Sequence, residues 1–387
     1  MLFALFFCYI YIFVLYIYKF FIVNMCYGHI YFISIINNVS IKYMRNHIVV
    51  SPHPKYIVEK SIPKDWKKCK IVTPKEFENM DYDKDKDQVY PWGDVAFDTI
   101  CSKIDNPEMG FSLEVSELCN NKYNCRERLK SLKDIPFKIC KNFVVDWPEN
   151  KEEKLIAKPV NGTGSSGILI VKHGDKLKPI DADYIIEKYI DDKYARMCVD
   201  GYLCNGKVGI LSLWDNNYQK ESPTTFESLS YPCRLDDEIH TKAIKKFTEV
   251  LNELHELTKT DNQIFDIEFF IVDGEAQVME INPRIGGNFL PFYEAVTGYN
   301  PWKSYESIRK GEQPKKSCEP GSGICRYNWF FDCKDGIYED EEGNYSVKSA
   351  QYSHTYVFSP EKKMDYEKLL KYTENIFEEY KEKVREK

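Results

Sequence analysis

The chain lacks the marks of most nucleotide and hydrolase chemistries. No glycine loop ends in G-K-[ST], which excludes the P-loop. H-R-D and D-F-G are both missing, which excludes a protein kinase, and no G-x-S-x-G elbow exposes a serine nucleophile. None of the 13 Cys sits in a C-x-x-C pair, so the thiols read as structural and the compartment as reducing. Basic residues are also in deficit: 53 Lys and Arg stand against 60 Asp and Glu, and a net charge of −7 argues against a phosphate-backbone binder, so no nucleic-acid partner is expected. What the chain does have is length. Its 387 residues are enough for two to three domains at roughly 150 each, with a full hydrophobic core.

Residues 1–43 contain no acidic residue and are dense in Phe and Tyr. Residues 1–18 are an uncharged apolar run long enough for a candidate membrane helix, with Lys19, Lys42 and Arg45 after it. No basic region precedes the run and no A-x-A-like site closes it, so a cleaved secretory signal fits poorly. Two readings stay open. Either this lead is an anchor with the rest on the cytoplasmic side, or it is upstream of the true start at Met44 and the protein is cytoplasmic. A membrane partner is expected only on the first reading.

The body reads as α+β with a small α/β part at its N-terminal end. Short apolar runs at 48–50 and 70–72, a charged break at 81–87 and a helix-compatible stretch at 95–104 give the α/β part. Residues 122–133 look helical until Ile135-Pro136 stops them. Strand-like segments follow at 154–158, 168–172, 184–189, 199–203 and 208–214. Ile239, Ala243, Ile244, Phe247, Val250, Leu251 and Leu254 then form one apolar helical stripe, which is core. Two strands at 265–272 and 276–281 flank Asp273-Gly274, and a charged helical run starts at Asp365.

Two motifs carry chemistry. The first is Lys158-Pro159-Val160-Asn161-Gly162-Thr163-Gly164-Ser165-Ser166-Gly167, a G-x-G-x-x-G that is weak alone. A dinucleotide fold needs a helix after it, whereas Ile168-Leu169-Ile170-Val171 is strand-like. The context is strand, glycine loop, strand. Such a hairpin folds over a polyphosphate, with backbone N–H groups approaching its oxygens and Lys158 supplying charge, or else it is a flexible turn with no ligand. The second motif places Glu268 in one strand and Glu280, Asn282 and Arg284 in and after the next. Glu280 and Asn282 share a face. A two-residue Asp-Gly turn would pair residue 268 with 279, so bringing Glu268 opposite Glu280 requires a longer loop or a one-residue bulge near residues 273–275. With that condition met, two carboxylates and an amide oxygen suit Mg²⁺ held largely by substrate phosphates and water, and Arg284 lies within reach of a carboxylate or phosphoryl group. The alternative is a structural ion pair between the strand acids and Arg284.

Taken together, these motifs resemble the ATP-grasp superfamily of carboxylate–amine and carboxylate–thiol ligases. The resemblance covers about residues 118–312 and rests on the glycine loop and on Met279-Glu280-Ile281-Asn282-Pro283-Arg284-Ile285-Gly286-Gly287. It implies an ATP-grasp fold, two α+β subdomains clasping a nucleotide, at 121–315. A small Rossmann-like domain would precede it at 44–120, and a C-terminal segment at 316–387 would pack on the body. By position, Lys122 and Lys158 resemble the phosphate lysines. Gly162, Gly164, Ser165, Ser166 and Gly167 resemble the phosphate loop, and Glu187 with Tyr189 and Ile190 the adenine hinge. Glu268, Glu280 and Asn282 resemble the metal ligands for Mg²⁺, or Mn²⁺ in its place. Arg284 resembles the arginine of the acyl-phosphate step and joins Lys158 as catalytic, while Gly286 and Gly287 match the small residues after it. One departure is Tyr194, where family members commonly carry a ribose-binding glutamate; Asp191 and Asp192 are substitutes. The implied activity is ATP-dependent joining of a small-molecule carboxylate to an amine through an acyl phosphate, releasing ADP and phosphate. An ATP-binding module without turnover and a phosphoryl transferase are the alternatives. Cys198, Cys204, His173 and His255 read as packed, surface or capping residues.

Overall fold

Residues 46–148, 150–162, 166–219, 222–329, 336–349, 352–360 and 365–385 are described by a computed structural model of the chain. The apolar lead lies outside them. Among the described residues no helix is long and apolar enough to cross a membrane.

The chain divides into two units. The described residues of the first are Asn46–His47 and Tyr82–Gln88, where the Asn46 amide N–H donates to the Lys86 carbonyl and Lys86 pairs with Asp83 at 2.6 Å. The second, Ile48–Asp81 with Val89–Lys387, holds the helices, the two larger sheets and the site described below.

Strands β1 (Asn46–Val50), β2 (Cys69–Val72) and β3 (Asp87–Pro91) form a three-stranded sheet in the order β2-β1-β3. The Val49, Val50 and Tyr90 side chains there are buried, and Val49 and Tyr90 cluster with Ile57 and Val58 of the helix Lys55–Glu59 and with Trp302 and Tyr305 of the helix Pro301–Arg309. The predicted helix after residue 122 ends at Arg128, continues as a single turn over Lys130–Leu132 and stops before Pro136. Strands β4 (Phe137–Cys140), β5 (Leu155–Pro159), β6 (Leu169–Val171) and β7 (Tyr184–Lys188) make an antiparallel sheet ordered β4-β7-β5-β6.

The remaining strands build one nine-stranded sheet. They are β8 (Ala195–Cys204), β9 (Lys207–Gln219), β10 (Ser222–Tyr231), β11 (Gln263–Val272), β12 (Glu275–Asn282), β13 (Ser322–Trp329), β14 (Ile337–Glu339), β15 (Tyr345–Ser349) and β16 (Tyr352–Ser359), in the order β12-β11-β8-β9-β10-β13-β16-β15-β14. Asp236 caps the helix Asp237–Thr258 by accepting from the Ile239 amide at 2.9 Å. The apolar stripe of that helix, Ala243, Phe247, Val250, Leu251 and Leu254, packs on Val199, Leu203, Phe265, Ile267 and Phe269 from one sheet face. That leaves the alternate residues of β8, β11 and β12 on the other face, where the site is. The C-terminal segment, expected to pack onto the body, instead supplies β13–β16 to this same sheet, and the helix Tyr366–Arg385 covers Ile324 and Val357 with Leu369 and Ile376.

Candidate functional site

The acids come together through a local irregularity in β12. Asp273 and Gly274 have φ of 51° and 80°, a two-residue turn that pairs Val272 with Glu275. Regular counting from that turn would set Glu268 against Met279. The ladder slips by one residue between Phe269, paired with Val278, and Glu268, paired with Glu280, so Met279 is a bulge. The extra residue expected near residues 273–275 thus sits four positions further along the strand. Its effect is a change of phase: Ala276 and Val278 point into the core with Ile281, while Glu280 and Asn282 turn to the opposite face.

Arg126 supports the bulge. Its buried guanidinium donates from Nη2 to the Val278 and Met279 carbonyls, both at 3.3 Å, and from Nη1 to the Leu132 carbonyl at 3.2 Å. Its Nε bonds Glu187, whose other oxygen pairs with Lys158 Nζ at 2.7 Å. Burial opposes ionisation of Glu187, but Arg126 and Lys158 outweigh it and hold the carboxyl at about 2. The Glu187 carboxylate is therefore committed to these two cations. Its neighbours Lys188, Tyr189 and Ile190 line a slot with Ile156, Lys158 and Met279.

Lys122, at the start of its helix, joins the two motifs. Its Nζ pairs with Glu280 at 2.9 Å and bonds the Gly162 carbonyl, while its backbone N–H donates to Val160 at 2.9 Å. Gly162 and Ser166 also line the slot, and Gly167 takes φ 73°. Thr163, Gly164 and Ser165 lie outside the described residues. Lys122, Gly162, Tyr218 and Glu280 line both the slot and a second cavity of about 470 Å³.

That second cavity has an acidic floor laid down by strand register. Asn282, Asp266, Asp200 and Ser212 form one row across β12, β11, β8 and β9, and Glu280, Glu268, Cys198 and Trp214 form the next. Asp200 is fully engaged: Oδ2 accepts from Ser212 at 2.9 Å and Trp214 at 2.7 Å, and Oδ1 from the Gly286 amide at 3.0 Å. A Cβ on Gly286 would lie 3.2 Å from that same Oδ1, so the close approach needs glycine. Arg284 is clamped by Asp94 in a bidentate pair at 2.7 and 2.9 Å and reaches Asp266 at 3.5 Å. It thus lines the cavity but is held by a partner from the α/β part. Burial, then Glu280 opposite, push the Glu268 carboxyl up to about 7. Burial, then Asp200 and Glu268, raise Asp266 well above the ordinary carboxylate range.

Among the described residues no group of three or more His, Cys, Asp or Glu is arranged to enclose a metal ion. Glu268 and Glu280 face each other with Asn282 beside them, which fits a hard cation that takes most of its ligands from elsewhere. Burial first, and then Glu280 opposite, raise Glu268, and a cation between the two carboxylates would offset both. Tyr194 lines neither space; its hydroxyl donates to Asp273 at 3.2 Å. Asp192 instead accepts from Tyr189 at 2.7 Å. Cys198 and Cys204 are buried thiols, and His255 Nδ1 lies 2.7 Å from the Thr260 carbonyl beyond the end of its helix.

Sequence reasoning missed Arg126, Asp94, Asp200, Asp266 and Asn216. Arg126 had a signal, since it sits four residues after Lys122 and so on the same helix face. Asp266, two before Glu268, had the same-face signal of a strand.

The fold agrees with comparison to known proteins. A family model described as an ATP-grasp domain matches residues 119–288. No curated protein sequence matches the chain. Among solved structures, an L-amino acid ligase from Bacillus licheniformis is similar at a TM-score of 0.59 and 15% identity, covering 86% of this chain and 97% of that one. N5-carboxyaminoimidazole ribonucleotide synthetase from Thermotoga maritima aligns at 0.59 and 13%, covering 86% and 98%. A biotin carboxylase–β-γ-ATP complex from Campylobacter jejuni aligns at 0.60 and 13%, covering 82% and 88%. The chain has the ATP-grasp fold, and residues 119–288 match the ATP-grasp domain model.

Proposed function

We propose that the protein is an ATP-dependent ligase that joins a carboxylate to an amine through an acyl phosphate and releases ADP and phosphate. The observation that carries this reading is Lys122 bridging Gly162 of the glycine loop and Glu280 of the acid hairpin, so that a cationic flap and an acidic strand pair border the same space. Ligases and an ATP complex among the similar folds support it.

In this reading the slot beside Tyr189 and Ile190 takes the adenine. Lys122 and Lys158 neutralise phosphate oxygens, with backbone N–H groups of Ser166 and Gly167 directed to the same oxygens. Glu268, Glu280 and Asn282 would hold Mg²⁺ or Mn²⁺, which supplies charge neutralisation on the transferring phosphoryl group when bound. Arg284, steadied by Asp94, faces the cavity where the acid would be activated. No side-chain nucleophile is required, because the carboxylate attacks phosphorus and the amine then displaces phosphate.

The test is a coupled ADP-release screen over acid and amine pairs. ADP and phosphate should appear only when both partners are supplied, and Glu280→Gln should lower turnover at least 100-fold while leaving the melting temperature within a few degrees. Release of AMP and pyrophosphate, or full activity in Glu280→Gln, would overturn the reading.

A further inference from the structure

We infer that the second cavity takes the apolar end of an elongated small-molecule acid, a ring or comparable hydrocarbon group set several bonds from the carboxylate and seated on Phe226, Leu229 and Tyr327. This deepens the ligase reading and rests on it for calling the acid a substrate; the recognition of the apolar end stands on the cavity wall.

Strand register builds that wall. β9 turns Trp214, Asn216 and Tyr218, alternate residues of one strand, toward the cavity. The pairing of β10 is irregular between Phe226 and Ser228, so Phe226 lies opposite Tyr218 and Leu229 opposite Asn216, and two residues three apart share one face. Leu229 pairs in turn with Cys325 of β13, and Tyr327 stands two residues further along that strand. Past this point the same face is closed by protein. Cys325 pairs with Tyr356 and Tyr356 with Tyr345, and the Phe292 ring centroid lies 6.2 Å from that of Tyr345 and 6.1 Å from that of Tyr356. At Phe226, Leu229 and Tyr327 the face borders the cavity instead. Apolar surface left against water is unfavourable, and a hydrocarbon group laid on it removes that cost. The Phe226 ring is already set for such a contact, edge to face with Tyr218 at 5.4 Å and with Tyr327 at 4.9 Å.

Sheet order gives the length. Glu280 and Arg284 border the cavity at its β12 end, and β10 is four strands away in the order β12-β11-β8-β9-β10. At ~4.8 Å per strand the two backbones stand about 19 Å apart, a span that side chains shorten from both ends. An acid whose carboxylate is at the Arg284 end therefore needs a chain of several atoms to lay its apolar group on Phe226.

The experiment is calorimetric titration of the full chain at pH 7, with magnesium chloride and without nucleotide, using 5-phenylpentanoate and pentanoate, which lacks the ring. The ring-bearing acid should bind at least tenfold more tightly. Phe226→Ala should reduce that preference at least fivefold, and Phe226→Leu, which keeps an apolar wall, should retain most of it. No binding of 5-phenylpentanoate, equal binding of the two acids, or an undiminished preference in Phe226→Ala would overturn the inference; the first two need no variant and so do not depend on its folding. A chain that prefers the ring-bearing acid yet never releases ADP keeps this inference and loses the ligase reading, and one that binds the two acids equally yet releases ADP with short acids does the reverse.

Discussion

Glu187 illustrates how a carboxylate that lines a slot can be taken up wholly by the cations beside it. It lies within β7, two residues before Tyr189 of the slot, and its carboxylate is spent on Arg126 and Lys158 in a nearly dry setting. Replacing it by Gln leaves two buried cations without their counter-charge, a change that typically costs about 3–5 kcal/mol. The pH dependence has a definite sign. The folded carboxyl is held at about 2, below its unfolded value near ~4.3, so its contribution is complete above the unfolded value and is lost as pH falls toward 2. Urea denaturation should therefore separate Glu187→Gln from the unaltered chain by the full margin at pH 7. The two curves should draw together between about pH 4.5 and 2. A gap independent of pH would mean that the pair is not ionised as described.

At the scale of elements, the bulge at Met279 decides which face of β12 carries the acids. Alternation alone would put Val278 and Glu280 on one face, burying a carboxylate or exposing a valine. The sequence records the slip, since the apolar positions run Ala276, Val278 and then Ile281, a step of two followed by a step of three. That irregularity was legible and went unread, whereas the strands themselves were placed to within a few residues because their apolar content is high. The short strands β3 and β4 were not read, nor were the strand Ser222–Tyr231 and the four C-terminal strands. The interiors of these last five use small polar residues such as Ser228, Ser346, Ser353 and Thr355, all fully buried, with Ser346 and Thr355 hydroxyls bonded at 2.7 Å. These residues interrupt the apolar alternation that Ile324, Val347 and Val357 would otherwise mark. Asp94 is the residue that no local pattern could reveal, because its pairing with Arg284 spans 190 positions in the chain. The bulge yields a prediction of its own. Arg126→Met removes both donors at the Val278 and Met279 carbonyls, and should raise the dissociation constant of a non-hydrolysable ATP analogue at least tenfold while costing about 3–5 kcal/mol of stability. Calorimetry and urea titration report the two effects separately; unchanged nucleotide affinity would show that the bulge stands without its arginine.

On the scale of the whole molecule, the nine-stranded sheet makes the C-terminal segment inseparable from the site. β13 pairs with β10 through Ser228–Arg326 to Tyr231–Gly323, and Tyr327 of β13 lines the second cavity. A chain ending at residue 315 would leave β10 as an open edge with Leu229 and Phe226 uncovered, a template for intermolecular pairing. Such a truncation should aggregate on expression or unfold without a cooperative transition. A soluble, cooperatively melting product would show that residues 316–387 are an accessory.

Lys122 already has two partners, and each lies where a nucleotide and its metal are proposed to go. An arriving polyphosphate must win this ammonium from Glu280, and the carboxylate released in the trade is then free to receive a divalent ion. Occupancy would thus proceed by swapping counter-ions, with anion and cation each clearing the way for the other, so that neither would bind as firmly alone as in the other's company.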